Sequence, residues 1–153
     1  MDSDAKRRLE ENLIMIFTGQ TRSASGILKE QSQAMDQESK RLIIKKMVAI
    51  AYELKEALQK NQIDDFGKIL HEGWLLKQSV TAGISSDSIN DIYEQGLAAG
   101  ALGGKLLGAG GSGFLLFYCP KEKQTLFREK MKAYRELPFK FDNSGSKIIY
   151  IAD

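Results

Sequence analysis

Apolar residues recur along this chain at two periods, and the switches between them mark out its elements. Leu13 to Phe17 is a short apolar run closed by Thr18-Gly19, which predicts a buried strand ending in a turn. The compact polar stretch Gln20 to Ser25 follows, with Ser23 suited to cap a helix. From Gly26 to about Asn61 the period is helical. Ile43, Met47, Ile50, Leu54 and Leu58 make one apolar face opposite lysines and glutamates, and a break near Asp36 divides a short helix from a long one. Asp64 or Asp65 can cap a further helix with Phe66, Ile69, Leu70, Leu76 and Val80 on its core side. His71, Trp74 and Gln78 share one face of that helix. Gly83 to Asp87 reads as a turn, an N-cap and a first-turn acid, launching a helix with Ile89, Ile92, Tyr93 and Leu97 inward.

The period then shortens. Lys105 to Leu107 and Phe114 to Cys119 read as strands flanking a glycine-rich turn, and the long apolar run of the second predicts a central strand buried on both faces. Pro120 suits the first turn of a helix whose apolar face carries Leu126, Phe127, Met131 and Tyr134. Phe139 and Phe141 alternate with polar residues and predict a half-buried strand; Lys147 to Ala152 predicts a last one after the turn Asn143 to Ser146. No internal repeat or low-complexity linker interrupts the pattern. The fold class is α+β, with four or five short strands and helices mainly on one side.

Composition narrows the function. A chain of 153 residues is expected to form a single domain over 1–153 with a core that needs no disulfide. Cys119, the only cysteine, lies in an apolar run and reads as a buried thiol in a reducing compartment. No apolar stretch is long enough to span a membrane, and the charged N-terminus lacks a signal-peptide core, so a cytoplasmic location is expected. The 22 basic and 20 acidic side chains are interspersed, which argues against a nucleic-acid partner. One histidine and one cysteine supply no zinc site, and no Walker-type phosphate loop occurs.

The chemistry-bearing feature is the run Gly108-Ala109-Gly110-Gly111-Ser112-Gly113. Eight of the fourteen glycines lie between Gly96 and Gly113, so the concentration is local. Glycine is suited to backbone with positive φ, or to places where something must approach the main chain closely. Successive amides in such a turn can form a concavity for anions. A tight hairpin between buried strands accounts for the same run, and the pattern alone leaves both readings open. His71 likewise reads either as a packed, hydrogen-bonded histidine or as a ligand-binding one.

Gly100 to Phe114, with Gly103-Gly104-Lys105-Leu106-Leu107 leading into the glycine run, resembles the third signature of the galactokinase, homoserine kinase, mevalonate kinase and phosphomevalonate kinase (GHMP) superfamily. Leu107 stands where threonine is common, and Ser112 where glycine is usual. Phe17 to Ser25, the helix around His71 to Lys77, and Gly83 to Tyr93 look like the branch that acts on heptose 7-phosphate. The likeness extends from about Leu9 to the C-terminus. It implies a ferredoxin-like C-terminal domain, mostly antiparallel, from a two-domain kinase. The superfamily's main phosphate loop and catalytic aspartate belong to an N-terminal half that these residues do not contain, so the chain is expected to be a fragment, an excised domain or a split-gene product.

That resemblance carries the site expectations. The glycine turn 108–113 would face the phosphates, and no catalytic residue is expected within this chain. Thr21, Arg22, His71 and Lys105 are the substrate-binding candidates, with Arg22 favoured to grip a sugar phosphate in bidentate fashion and Lys105 leaning towards a structural role. ATP and Mg²⁺ would serve the intact enzyme, with neither expected to bind tightly to this chain alone. Partners would be a sugar phosphate, by that resemblance a heptose phosphate, and the N-terminal kinase domain. An uncovered interdomain face would favour a homo-oligomer or limited solubility. Two other classes fit the pattern: a non-catalytic interaction domain, and a sugar-phosphate sensor.

Overall fold

The computed structural model describes residues 1–19, 38–80, 85–108 and 113–146. Its elements are α1 (Ser3–Asn12), β1 (Leu13–Phe17), α2 (Glu38–Gln59), α3 (Ile63–Val80), α4 (Asp87–Ala98), β2 (Gly103–Leu106), β3 (Phe114–Tyr118), a 3₁₀ turn (Lys121–Lys123), α5 (Gln124–Lys130) and β4 (Glu136–Leu137). The four strands form one sheet in the order β2-β3-β1-β4, with every neighbouring pair antiparallel. Leu13 lies opposite Tyr118 and Phe17 opposite Phe114, while Leu106 lies opposite Leu115. This is the ferredoxin-like arrangement, strand–helix–strand–strand–helix–strand, with extra helices in the first crossover.

Strand alternation separates two cores. Ile14, Ile16, Leu115, Phe117 and Leu106 pack with Trp74, Ile89, Ile92, Tyr93, Phe127 and Met131. On the other face Leu13 and Tyr118 join Ala5, Leu9 and Ile63, with Leu116, Phe139 and Phe141 against them. The central strand β3 is thereby covered on both faces, as its apolar run predicts. Helix α3 lies very close to β2, an edge strand. A Cβ added at Gly103 would sit 1.9 Å from the Gly67 carbonyl oxygen, so the approach requires hydrogen at that position. Covering an edge with a helix also removes it as a template for unwanted pairing.

Ser86 caps α4 as expected, its side chain accepting from the Ile89 N–H. Several expectations change. Helix α1 was not foreseen; Asp2 caps it by accepting from the Ala5 N–H at 2.7 Å. Helix α3 begins at Ile63, with Asp64 and Asp65 inside its first turn. Pro120 precedes the short 3₁₀ turn, and Leu126 of α5 faces solvent instead of the core. Phe139 and Phe141 are not in a strand. After Pro138, Glu10 holds the segment to α1, accepting from the Phe141 N–H at 2.7 Å and from Lys140 at 2.8 Å. Strand β2 begins at Gly103, two residues before the predicted start. The predicted cap at Ser23, the short helix before Asp36 and the strand over 147–152 lie outside the described residues.

Candidate functional site

The glycine turn joins two neighbouring strands, so its position follows from the sheet. The Leu107 N–H donates to the Phe114 carbonyl at 2.8 Å and closes the hairpin below it. Gly108 and Gly113 take φ of 86° and 113°, a region side chains rarely adopt. Among the described residues, nothing lies within 4 Å of the point where a Gly108 Cβ would stand. Ala109, Gly110, Gly111 and Ser112 lie outside the described residues.

Two side chains from distant elements hold the ends of this turn. Thr18, buried at the end of β1, donates its backbone N–H and its hydroxyl to the Gly113 carbonyl, each at 2.9 Å. The Gly113 N–H donates back to the Thr18 Oγ1 at 3.2 Å. At the other end Lys77 of α3 donates its ammonium to the Gly108 carbonyl at 3.1 Å. Burial, and next the charge of Lys105, hold the Lys77 ammonium below the usual lysine range. Neither Thr18 nor Lys77 was a sequence candidate. Their partners are 95 and 31 residues away, so no local pattern marks them.

The sequence candidates are distributed unevenly about the turn. Lys105 lies on β2 and shares a cavity with Lys77. His71 sits away from the turn, six residues before Lys77 on α3 and therefore about 9 Å back along the helix axis. Its Nδ1 is 2.8 Å from the Tyr93 hydroxyl, and the two rings stack with centroids 5.9 Å apart. The Tyr93 hydroxyl donates to the Gly104 carbonyl at 3.3 Å. With that proton committed, the Nδ1–H tautomer of His71 completes the chain and ties α3, α4 and β2 together. Burial pushes the Tyr93 phenol well above the ordinary tyrosine range, so the hydroxyl keeps its proton. Thr21 and Arg22 lie outside the described residues.

The chemistry of the surroundings is limited. Among the described residues, no group of three or more His, Cys, Asp or Glu is placed to hold a metal ion. Cys119 is fully buried, and burial pushes its thiol up to about 11, which makes it an inert packing residue at neutral pH. A hollow of about 470 Å³ lies at the opposite end of the sheet, beside Asn12, Asp64 and Lys121. It mixes cations and carboxylates and includes none of the candidate residues. No described helix is long and apolar enough to cross a membrane.

The signature described as GHMP kinases C terminal matches residues 54–137, more than half of the chain. The chain belongs to the GHMP kinase C-terminal family. Among GHMP relatives, a bifunctional fucokinase/GDP-fucose pyrophosphorylase of Arabidopsis thaliana is 32% identical over 138 residues, covering 88% of this chain and 13% of that protein. A D-glycero-alpha-D-manno-heptose 7-phosphate kinase of Campylobacter jejuni subsp. jejuni is 29% identical over 142 residues, covering 91% of this chain and 42% of that kinase. The mevalonate kinase structure from Methanococcus jannaschii superposes with a TM-score of 0.71 at 21% identity, over 90% of this chain and 42% of that one. That likeness shows the fold. The chain spans less than half the length of these curated relatives.

Proposed function

We propose that this chain is the C-terminal half of an ATP-dependent sugar-phosphate kinase and forms one wall of its active-site cleft, with a heptose 7-phosphate as the acceptor class. The observation that carries the reading is the glycine turn fixed at both ends, by Thr18 on Gly113 and Lys77 on Gly108, with no described residue crowding Gly108. Phosphoryl transfer depends on positioning and on stabilising charge over the transferring group more than on covalent chemistry. A turn whose ends cannot drift can present amides to an anion without reorganising during the reaction. Residues 109–112 would supply those amides.

Arg22 is separated by only three peptide units from Gly19, which follows the Thr18 anchor. Its guanidinium would hold the sugar phosphate in bidentate fashion, and Thr21, next to it in sequence, would bind a sugar hydroxyl. Lys105 would add positive potential under the turn, and His71 would support the helix that carries Lys77. The N-terminal half would bring the main phosphate loop, the catalytic carboxylate and the ligands for Mg²⁺.

ADP release tests this reading. The full kinase carrying this chain would be assayed with ATP and Mg²⁺ against D-glycero-D-manno-heptose 7-phosphate, L-fucose and mevalonate. Turnover highest on the heptose phosphate is expected, with none above background from the 153-residue chain alone. Preference for L-fucose would overturn the acceptor class. Robust turnover by the chain alone would overturn the assignment of the essential groups to the other half.

A further inference from the structure

A cavity of about 170 Å³ lies between α2 and α3, with Lys105 of β2 at its margin. Met47, Ile50 and Leu54 from α2 face Leu70 and Trp74 from α3, so its walls are apolar. Among the described residues, the charged groups lining it are Lys77 and Lys105, with no carboxylate. Among the described residues, neither lysine has an ion-pair partner; the one hydrogen bond shown for this pair runs from Lys77 to the neutral Gly108 carbonyl. Two like charges at one rim repel, and an anion placed between them relieves that repulsion while gaining from both. Among the described residues, the indole N–H of Trp74, a residue only 1% exposed, also lacks an acceptor. A dry cavity of about 150 Å³ is large enough for benzene, which sets the scale of an occupant here.

We infer that this cavity binds a small organic anion with one ring or a branched apolar body, its carboxylate held between Lys77 and Lys105. The site is separate from the acceptor site proposed above, and it stands whether or not the protein phosphorylates a sugar. A bound carboxylate would share the Lys77 ammonium, which has three donors, with the Gly108 carbonyl, so occupancy of the cavity and anchoring of the glycine turn are linked.

Trp74 is the only tryptophan of the chain, so its fluorescence reports on the cavity directly. Titrating the 153-residue chain with 3-phenylpropionate is expected to give a saturable change. The neutral 3-phenylpropionamide should bind about tenfold more weakly, because it forgoes the charge-assisted contacts. Inorganic phosphate at equal concentration should not displace the carboxylate. Lys105→Met keeps the aliphatic stem and spares the Lys77 contact with Gly108; it should cost about tenfold in affinity for the carboxylate and leave the amide unchanged. Gly73→Leu directs a side chain into the cavity, where the added Cβ meets only Ile50, at 3.7 Å, and should abolish the signal. Circular dichroism melting of Gly73→Leu and Gly73→Ala checks that the fold survives. If Gly73→Leu unfolds, Lys105→Met and the amide comparison decide alone. Equal affinity for amide and carboxylate, displacement by phosphate, an unaltered carboxylate affinity in Lys105→Met, or no saturable change would each overturn the inference.

Discussion

Replacing Thr18 by valine keeps the shape of the side chain and removes one atom that matters, Oγ1. The backbone bond from residue 18 to the Gly113 carbonyl survives, but the second donor to that carbonyl is lost and the Gly113 N–H loses its acceptor. An orphaned buried N–H costs about 1–3 kcal/mol. Gly113 is only half-buried, so water relieves part of this, and the added methyl returns about 0.8 kcal/mol of burial. The net loss should be about 1 kcal/mol, lowering the melting temperature by about 2–4 °C in a chain of this size. A larger effect is expected locally. Hydrogen exchange at the Gly113 amide should accelerate about 5- to 30-fold, the ratio that corresponds to one or two kcal/mol. Thr18→Ser keeps the hydroxyl and should leave that amide protected while losing a similar amount of global stability. In the full kinase, Thr18→Val should lower kcat/KM and Thr18→Ser should largely retain it. If the Gly113 amide exchanged equally slowly in both variants, the hydroxyl would not be what anchors the turn, and the reasoning would fail.

Other outcomes follow from single sites. Gly103→Ala would force α3 off β2, since its Cβ meets a backbone oxygen at 1.9 Å and no side chain can yield there; overpacking of this kind should cost about 3 kcal/mol or more in urea unfolding. Gly108→Ala meets no described residue but has the wrong φ, so it should cost only about 1 kcal/mol in stability while reducing turnover of the proposed full-length kinase. Cys119 gives a pH signature. Its folded thiol titrates at about 11 against an unfolded value of 9.0, so its contribution is complete below pH 9 and falls as the pH climbs towards 11. Between pH 8 and pH 10 wild type should lose about 1.3 kcal/mol that Cys119→Ala does not, measured by denaturant unfolding at each pH.

What the sequence discloses here is what local pattern controls. Strands β1 and β3 are apolar runs bounded by turn residues, and α4 begins at a serine followed by an acid, so both could be placed without knowledge of the fold. The alternation at Phe139 and Phe141 was misleading because it marks burial against α1, not pairing; Pro138, just upstream, carried the warning. Helix α1 shows only Ala5 and Leu9 as an inward stripe, too little to declare itself. The candidate site was legible in its glycines and illegible in its anchors. Thr18 looks like an ordinary residue closing a strand until the sheet order brings β1 beside β3.

The glycine concentration, read as one motif, meets two unrelated demands. Gly96 and Gly103 serve packing: a Cβ on either would strike the Phe117 ring at 2.4 Å or the α3 backbone at 1.9 Å. Gly108 and Gly113 serve the turn, with positive φ and no close neighbour where a side chain would stand. The two sets abut because β2 is both the strand against which α3 lies and the strand that delivers the chain into the turn. The same close approach places Lys77, ten residues after Gly67 on α3, level with Gly108 at the end of β2. Packing glycines in the strand therefore determine whether the lysine can reach the turn. A substitution at Gly103 that moved the helix outward would release the Gly108 anchor without touching the turn, and loss of activity there would not by itself place Gly103 in the site.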